Sequence, residues 1–233
     1  MIKTLPIDSR TDGISSVCFS PDSSFLLVSS WDGAATIYPV NAADSSYGIR
    51  HAHAGAVLCG SFGHSQDKCY TGGLDKIIRE LDSKVEGSHR VLGKQEGPIR
   101  ACEFSKFIGA LVTGSWDQTI RLFDPRAATS EVGSASLVGK VFAMDVFETK
   151  AVVALSDGSL NTFDLRNLDV GPQLSRPNTI GHQVRSLAMF ERGDAVLVGS
   201  IEGRAQSRIW IYHNRLLNDM LSNAIVWMKQ FIQ

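Results

Sequence analysis

The amino-acid sequence repeats itself at a period near forty residues, and a self-similar unit of that size folds by stacking on copies of itself rather than alone. Five copies are marked by a small-residue run ending in an acidic turn: Ser29-Ser30-Trp31-Asp32-Gly33, Thr71-Gly72-Gly73-Leu74-Asp75, Thr113-Gly114-Ser115-Trp116-Asp117, Leu155-Ser156-Asp157-Gly158 and Gly199-Ser200-Ile201-Glu202-Gly203. The acids at 32, 75, 117, 157 and 202 stand 43, 42, 40 and 45 residues apart. Six residues beyond the first four lie Tyr38, Leu81, Phe123 and Phe163, and the last three of these precede an aspartate.

Upstream of each acid lies a stretch rich in β-formers: Ile14 to Phe19, Val57 to Phe62, Ile99 to Phe104, Val141 to Val146 and Val184 to Phe190. Composition and period predict strands there, and Phe25 to Val28 and Ala110 to Val112 supply second strands within their repeats. Each repeat is thus a small antiparallel sheet that cannot bury both faces alone. Packed face to face around an axis, such sheets make an all-β propeller, and the acid turn is a degenerate WD dipeptide. The turn acids, with His53 and His182 placed to meet them, are expected to hold the blades together rather than to catalyse.

Composition narrows the function. With 43% hydrophobic and 20% charged residues the chain can bury a substantial core. The formal charge of -1 gives no global attraction to nucleic acid or membrane, and neither is expected as a direct partner. Cys18, Cys59, Cys69 and Cys102 form no CxxC pair, which argues against zinc and disulfides; no cofactor is implied. No catalytic or phosphate-binding motif appears, so the expectation is a protein that is not an enzyme. No segment reads as a signal peptide or membrane span, which predicts cytosol or nucleus.

Several strings narrow the match further. Asp12-Gly13-Ile14-Ser15-Ser16-Val17, Leu27-Val28-Ser29-Ser30-Trp31-Asp32, His53-Ala54-Gly55-Ala56-Val57-Leu58, Gly72-Gly73-Leu74-Asp75, Val112-Thr113-Gly114-Ser115-Trp116-Asp117-Gln118-Thr119, Phe123-Asp124-Pro125-Arg126 and Ser200-Ile201-Glu202-Gly203-Arg204 resemble the Bub-family WD-repeat propeller of the spindle assembly checkpoint. The messenger-RNA-export propeller of the nuclear pore shares several of them. The resemblance implies a nuclear, kinetochore-associated scaffold that binds GLEBS segments of checkpoint kinases or pseudokinases and phosphorylated MELT-type repeats of a kinetochore scaffold. It also implies that Trp31, Trp116 and Arg185 bind the peptide and that Arg204 reads the phosphate. Independently, large aromatics at strand ends and guanidinium groups suit an interface. Alternatives are a nucleoporin partner in RNA export and, from Phe123-Asp124-Pro125-Arg126 and Phe163-Asp164-Leu165-Arg166, a cullin-ligase substrate receptor.

The resemblance stops after Arg204. About five blades of an expected seven are therefore predicted, over residues 1–204, with a strand near Ile2 to Leu5. Residues 205–233 are read as a divergent tail, helical by the spacing of Leu217, Met220, Leu221, Ala224, Ile225, Met228 and Phe231, and able to cover blade five.

Overall fold

The computed structural model describes residues 12–209 except 41–47, 128, 179–180, 191–192, 194 and 204. The expected strand near Ile2 to Leu5, Arg204, and tail residues 210–233 lie outside the described residues.

Five antiparallel sheets follow one another along the chain. Blade 1 holds β1 (Ile14–Phe19), β2 (Phe25–Ser30), β3 (Ala34–Pro39) and β4 (Ile49–Ala52). Blade 2 holds β5 (Val57–Phe62), β6 (Lys68–Gly73), β7 (Ile77–Asp82) and β8 (His89–Lys94). In blade 3 these are β9 (Ile99–Ser105), β10 (Ala110–Ser115), β11 (Thr119–Phe123) and β12 (Glu131–Ser136). Blade 4 consists of β13 (Val141–Phe147), β14 (Lys150–Leu155), β15 (Ser159–Asp164) and β16 (Leu174–Pro177), with a 3-10 turn at Leu165–Val170 capped by Asp164. Blade 5 shows β17 (Val184–Met189), β18 (Ala195–Ser200) and β19 (Ala205–Ile209). The first strands pack in chain order, β1 on β5, β5 on β9, β9 on β13 and β13 on β17. The predicted five-bladed all-β propeller is what forms.

The burial patterns explain why the strands read as they do. A second strand is covered on both faces by neighbouring blades, so Ala110–Ser115 is buried at every position and its sequence does not alternate. A fourth strand lies at the periphery, and Glu131–Ser136 alternates between exposed and half-buried. The core is a row of seams between blades. Leu27 and Ile37 of blade 1 meet Val57, Phe62 and Leu81 of blade 2; Ile78 meets Ile99, Leu111 and Phe123; Val112 and Ile120 meet Val141, Val153 and Phe163; Val152 and Leu160 meet Val184, Val196 and Val198. Close approach at the first seam requires glycine at position 60, where a Cβ would stand 2.6 Å from Leu27 Cδ2.

The acid turns are built alike. Asp32, Asp75, Asp117 and Asp157 each accept, through Oδ1, the backbone N–H two residues on, at 2.8, 3.2, 3.0 and 2.9 Å. The intervening residue is left-handed in every blade: Gly33, Lys76, Gln118, Gly158 and Gly203 have φ of 82°, 66°, 66°, 85° and 73°. The acid is therefore a turn former, as its sequence position suggests.

One boundary is corrected. Ala205–Ile209, assigned from sequence to a helical tail, form β19 and pair with β18 from Gly199↔Ala205 to Ala195↔Ile209. The left-handed Gly203 turns the chain back so that these backbone groups complete a third strand, a local effect that the loss of the family pattern at 204 concealed.

Candidate peptide-binding face

The first strand of every blade carries the same irregularity. Pairing with the second strand shifts between Ile14 and Ser16, Val57 and Cys59, Ile99 and Ala101, Val141 and Ala143, and Val184 and Ser186. The skipped residues are Ser15, Leu58, Arg100, Phe142 and Arg185, one per blade. A bulge re-aims the side chain it carries and stops it pairing; at this end of the inner strands Arg185 is exposed, Ser15, Arg100 and Phe142 are half-buried, and Leu58 is buried.

The turn between second and third strands joins the same end. The residue before each acid donates its N–H to the carbonyl just ahead of the inner strand: Trp31 to Gly13, Leu74 to Ala56, Trp116 to Pro98, Ser156 to Lys140 and Ile201 to Gln183, at 3.0, 2.9, 2.9, 2.9 and 3.1 Å. Trp31, Trp116 and Arg185, singled out from the sequence, therefore share one rim. Trp31 is 47% exposed and Arg185 is exposed. Trp116 is half-buried, and its indole N–H is shielded from solvent with no acceptor among the described residues. A shielded donor without a partner costs about 1–3 kcal/mol, which an acceptor on a bound segment would recover.

Sequence reasoning passed over Arg100 and Phe142. Arg100 is half-buried, and no described carboxylate pairs with it or with Arg185. Burial lowers its affinity for its proton, and the charge of nearby Arg185 adds to that. Aligning the repeats on the bulge would have found it, since Arg100 and Arg185 are both the second residue of an inner strand.

Below the rim, in blades 2 to 4, the side chains three residues past the bulge lie between neighbouring inner strands. Ser61 Oγ accepts the Phe104 N–H at 3.1 Å, and Asp145 Oδ2 accepts that of Met189 at 2.5 Å. Glu103 sits between them, accepting from Ser61 Oγ at 3.4 Å. Burial, with Asp145 adding to it, pushes the Glu103 carboxyl up to about 8, and burial raises Asp145 against the opposing amides of Met189 and Val146. Perturbed carboxyls often mark a catalytic centre; here their contacts are the seams between blades.

The histidine expectation holds most fully in blade 2. His53 Nδ1 lies 3.0 Å from Asp75 Oδ2 and Nε2 2.9 Å from Thr71 Oγ1, with both ionisable side chains nearly sealed from solvent. Burial drives the Asp75 carboxyl upward, but His53, the Ile77 N–H and Arg79 outweigh it and hold the carboxyl below its usual range. In blade 3 Gln95 takes the histidine's place, donating to Thr113 Oγ1 at 3.1 Å. His182 meets Glu202 at 3.0 Å on a more open surface. All four cysteines are free thiols, three of them buried. The arginines of the two boxes that resemble cullin-ligase receptors fold back onto their own blades, Arg126 on Asp124 and Arg166 on Asp164.

Repeated sheets, acid turns and inter-blade seams of this kind define a WD-repeat β-propeller, and residues 2–38 and 88–124 match the family described as WD domain, G-beta repeat. Within that class the chain is similar both to mitotic checkpoint proteins and to messenger-RNA-export propellers. It is 33% identical over 198 residues to mitotic checkpoint protein BUB3.1 of Arabidopsis thaliana, covering 83% of this chain and 57% of the relative. It is 32% identical over 197 residues to the poly(A)+ RNA export protein of Schizosaccharomyces pombe, covering 83% and 55%. It is 31% identical over 196 residues to mitotic checkpoint protein bub3 of Dictyostelium discoideum, covering 83% and 58%. The chain thus spans a little over half the length of these relatives.

Proposed function

We propose that this chain acts as a non-enzymatic scaffold of the spindle assembly checkpoint, in the nucleus and at the kinetochore in mitosis. Its rim would hold a GLEBS-type segment of a checkpoint kinase or pseudokinase against Trp31, Trp116 and Arg185, and Arg204 would receive phosphorylated MELT-type repeats of a kinetochore scaffold. The observation that carries this reading is the shared rim: an exposed indole, an indole N–H with no acceptor among the described residues and two arginines with no described carboxylate partner lie at the bulged end of the inner strands. The relatives that are mitotic checkpoint proteins support the checkpoint assignment.

A second reading, an adaptor in messenger-RNA export with a nucleoporin segment on the same rim, draws support from the RNA-export relatives. The cullin-receptor alternative draws less, because Arg126 and Arg166 are already held by aspartates of their own blades.

Titration calorimetry with a GLEBS peptide tests the site. Trp31→Ala and Trp116→Ala are each expected to weaken binding by ~2 kcal/mol or more, as for aromatic interface anchors. Unchanged affinity in both, with the circular dichroism of the fold intact, refutes the assignment. Peptides from checkpoint kinases and from nucleoporins, compared side by side, separate the two readings.

A further inference from the structure

The two Asp-x-Arg boxes differ in one respect that the peptide-binding face does not use. Three residues beyond Arg126 stands a hydroxyl, Thr129, whereas three beyond Arg166 stands Asp169. An arginine three positions ahead of a threonine is the spacing that arginine-directed protein kinases accept, because carboxylates in the substrate groove take the guanidinium while the hydroxyl reaches the nucleotide.

The fold puts both groups within reach of such an enzyme. β11 leaves the rim at Thr119 and ends at Phe123, so the loop that follows lies at the other end of blade 3 from the candidate peptide site. It joins the two outermost strands of that blade, β11 and β12. Thr129 is exposed, and the Arg126 side chain is 73% exposed. Asp124 holds Arg126 at 3.0 and 3.1 Å, but an ion pair this open costs little to part.

The loop also has a counter-charge beside it. The pairing of Phe123 with Glu131 continues through the Asp124 N–H, which donates to the Ser130 carbonyl at 2.7 Å. Pro125 and Thr129 therefore stand across from each other at the mouth of the loop, at the ~5 Å of a cross-strand pair. From β8 of blade 2, Arg90 donates to the Pro125 carbonyl, and the Ser130 hydroxyl donates to the Leu92 carbonyl of the same strand. A guanidinium has five donors; Arg90 is 53% exposed and meets Glu80 only at 3.5 Å, a carboxylate that Lys68 also approaches. The carboxylates nearest the hydroxyl in sequence are already answered, Asp124 by Arg126 and Glu131 by Arg121 at 3.1 Å.

We propose that Thr129 is a phosphorylation site for an arginine-directed kinase, and that Arg90 receives its phosphate across the junction of blades 2 and 3. The γ-phosphoryl group of a nucleoside triphosphate passes to Thr129 Oγ1. The new O–P bond replaces the bond to the diphosphate, which leaves, and the hydroxyl proton goes to the kinase's catalytic base. The added group brings about two negative charges and three acceptor oxygens. A contact of Arg90 with one carbonyl thereby becomes a charge-assisted pair joining the outer strands of two blades.

The full 233-residue chain, incubated with ATP and the catalytic subunit of cyclic-AMP-dependent protein kinase and mapped by tandem mass spectrometry, tests the site. Phosphate is expected on Thr129 of the folded chain. Arg126→Ala is expected to slow its incorporation at least tenfold and Thr129→Ser to keep it, with circular dichroism showing each variant folded. Phosphorus NMR then reads the receiver: the second ionisation of the phosphothreonine is expected about half a unit below its ordinary ~6, to stay there in Arg90→Lys, and to return to ~6 in Arg90→Ala. Three results overturn the site: incorporation confined to Thr179 or Ser207, which also follow an arginine by three residues, labelling of Thr129 only after denaturation, or a rate indifferent to Arg126. An ionisation unmoved by Arg90→Ala overturns the receiver.

Discussion

Replacing Glu103 by glutamine should make the protein more stable in alkaline solution and leave it almost unchanged in acid. The Glu103 carboxyl rises from its ordinary 4.5 to about 8 because burial, reinforced by the charge of Asp145, disfavours the anion. A carboxyl whose pKa is higher folded than unfolded keeps its proton in the native state after the unfolded chain has lost it. Its contribution is therefore intact below about 4.5, declines as pH climbs through the window, and is fully lost above about 8. At ~1.4 kcal/mol per pH unit, that gap corresponds to at most ~5 kcal/mol. Glu103 is not wholly sealed from solvent, which screens the charge, and about 2–3 kcal/mol is the expected loss. Glutamine has nearly the same shape, its carbonyl can still accept from Ser61, and it does not ionise. Urea unfolding followed by tryptophan fluorescence at pH 4, 7 and 9 should give nearly matching midpoints for wild type and Glu103→Gln at pH 4, and a variant that is progressively more stable than the wild type at pH 7 and 9. A variant whose stability falls with pH as steeply as the wild type, or one that is weaker by the same amount throughout, would refute the reasoning.

Two further outcomes follow from the seams and turns. His53→Ala removes one partner of the Asp75 carboxylate, which keeps Arg79 and the Ile77 N–H, and leaves the Thr71 hydroxyl without its imidazole partner in a nearly sealed site; it should cost ~1–3 kcal/mol in denaturant unfolding, and a loss below ~0.5 kcal/mol would show that the blade does not depend on this contact. Gly60→Ala places a methyl 2.6 Å from Leu27 Cδ2 and should cost ~1–3 kcal/mol, and combining it with Leu27→Ala should destabilise by less than the sum of the two single changes, whereas strict additivity would separate the two residues.

How much of this was legible before the structure depends on which physical quantity each element is made from. The five inner strands and the acid turns were legible because the side chains themselves carry the signal: β-branched and aromatic residues covered by a preceding blade, and a carboxylate needed to accept the amide two residues on. Trp31 and Trp116 could be placed beside those turns from their position before the acid, whereas Arg185 was named through the family resemblance. β19 was not, because Ala205-Gln206-Ser207-Arg208-Ile209 has no strong β signature of its own; its pairing with β18 follows from the chain reversal at Gly203. Nor could strand assignment from composition reveal a bulge, since the extra residue is a fact about pairing with the neighbouring strand and not about the residue itself.

Arg100 shows how the two kinds of information combine. By alternation along a regular strand, it would share a face with Cys102, which is buried in the seam with blade 2, and an arginine there would be a charge on its way into a core. The shift between Ile99 and Ala101 breaks that alternation. Because the same shift recurs at Ser15, Leu58, Phe142 and Arg185, it is a property of the blade and not of any one sequence. The repeat thus reserves one position per blade at which the side chain is freed from the packing rules of the strand, and it is there that the sequence departs from a common pattern, with serine, leucine, arginine, phenylalanine and arginine in turn. The seams on either side keep their apolar residues because neighbouring blades must fit them; of the bulged positions, Leu58 is buried while the other four retain access to solvent. Under the proposed function, discrimination between partner segments would rest on these bulged positions and on the turn residues Trp31, Leu74, Trp116, Ser156 and Ile201 beside them.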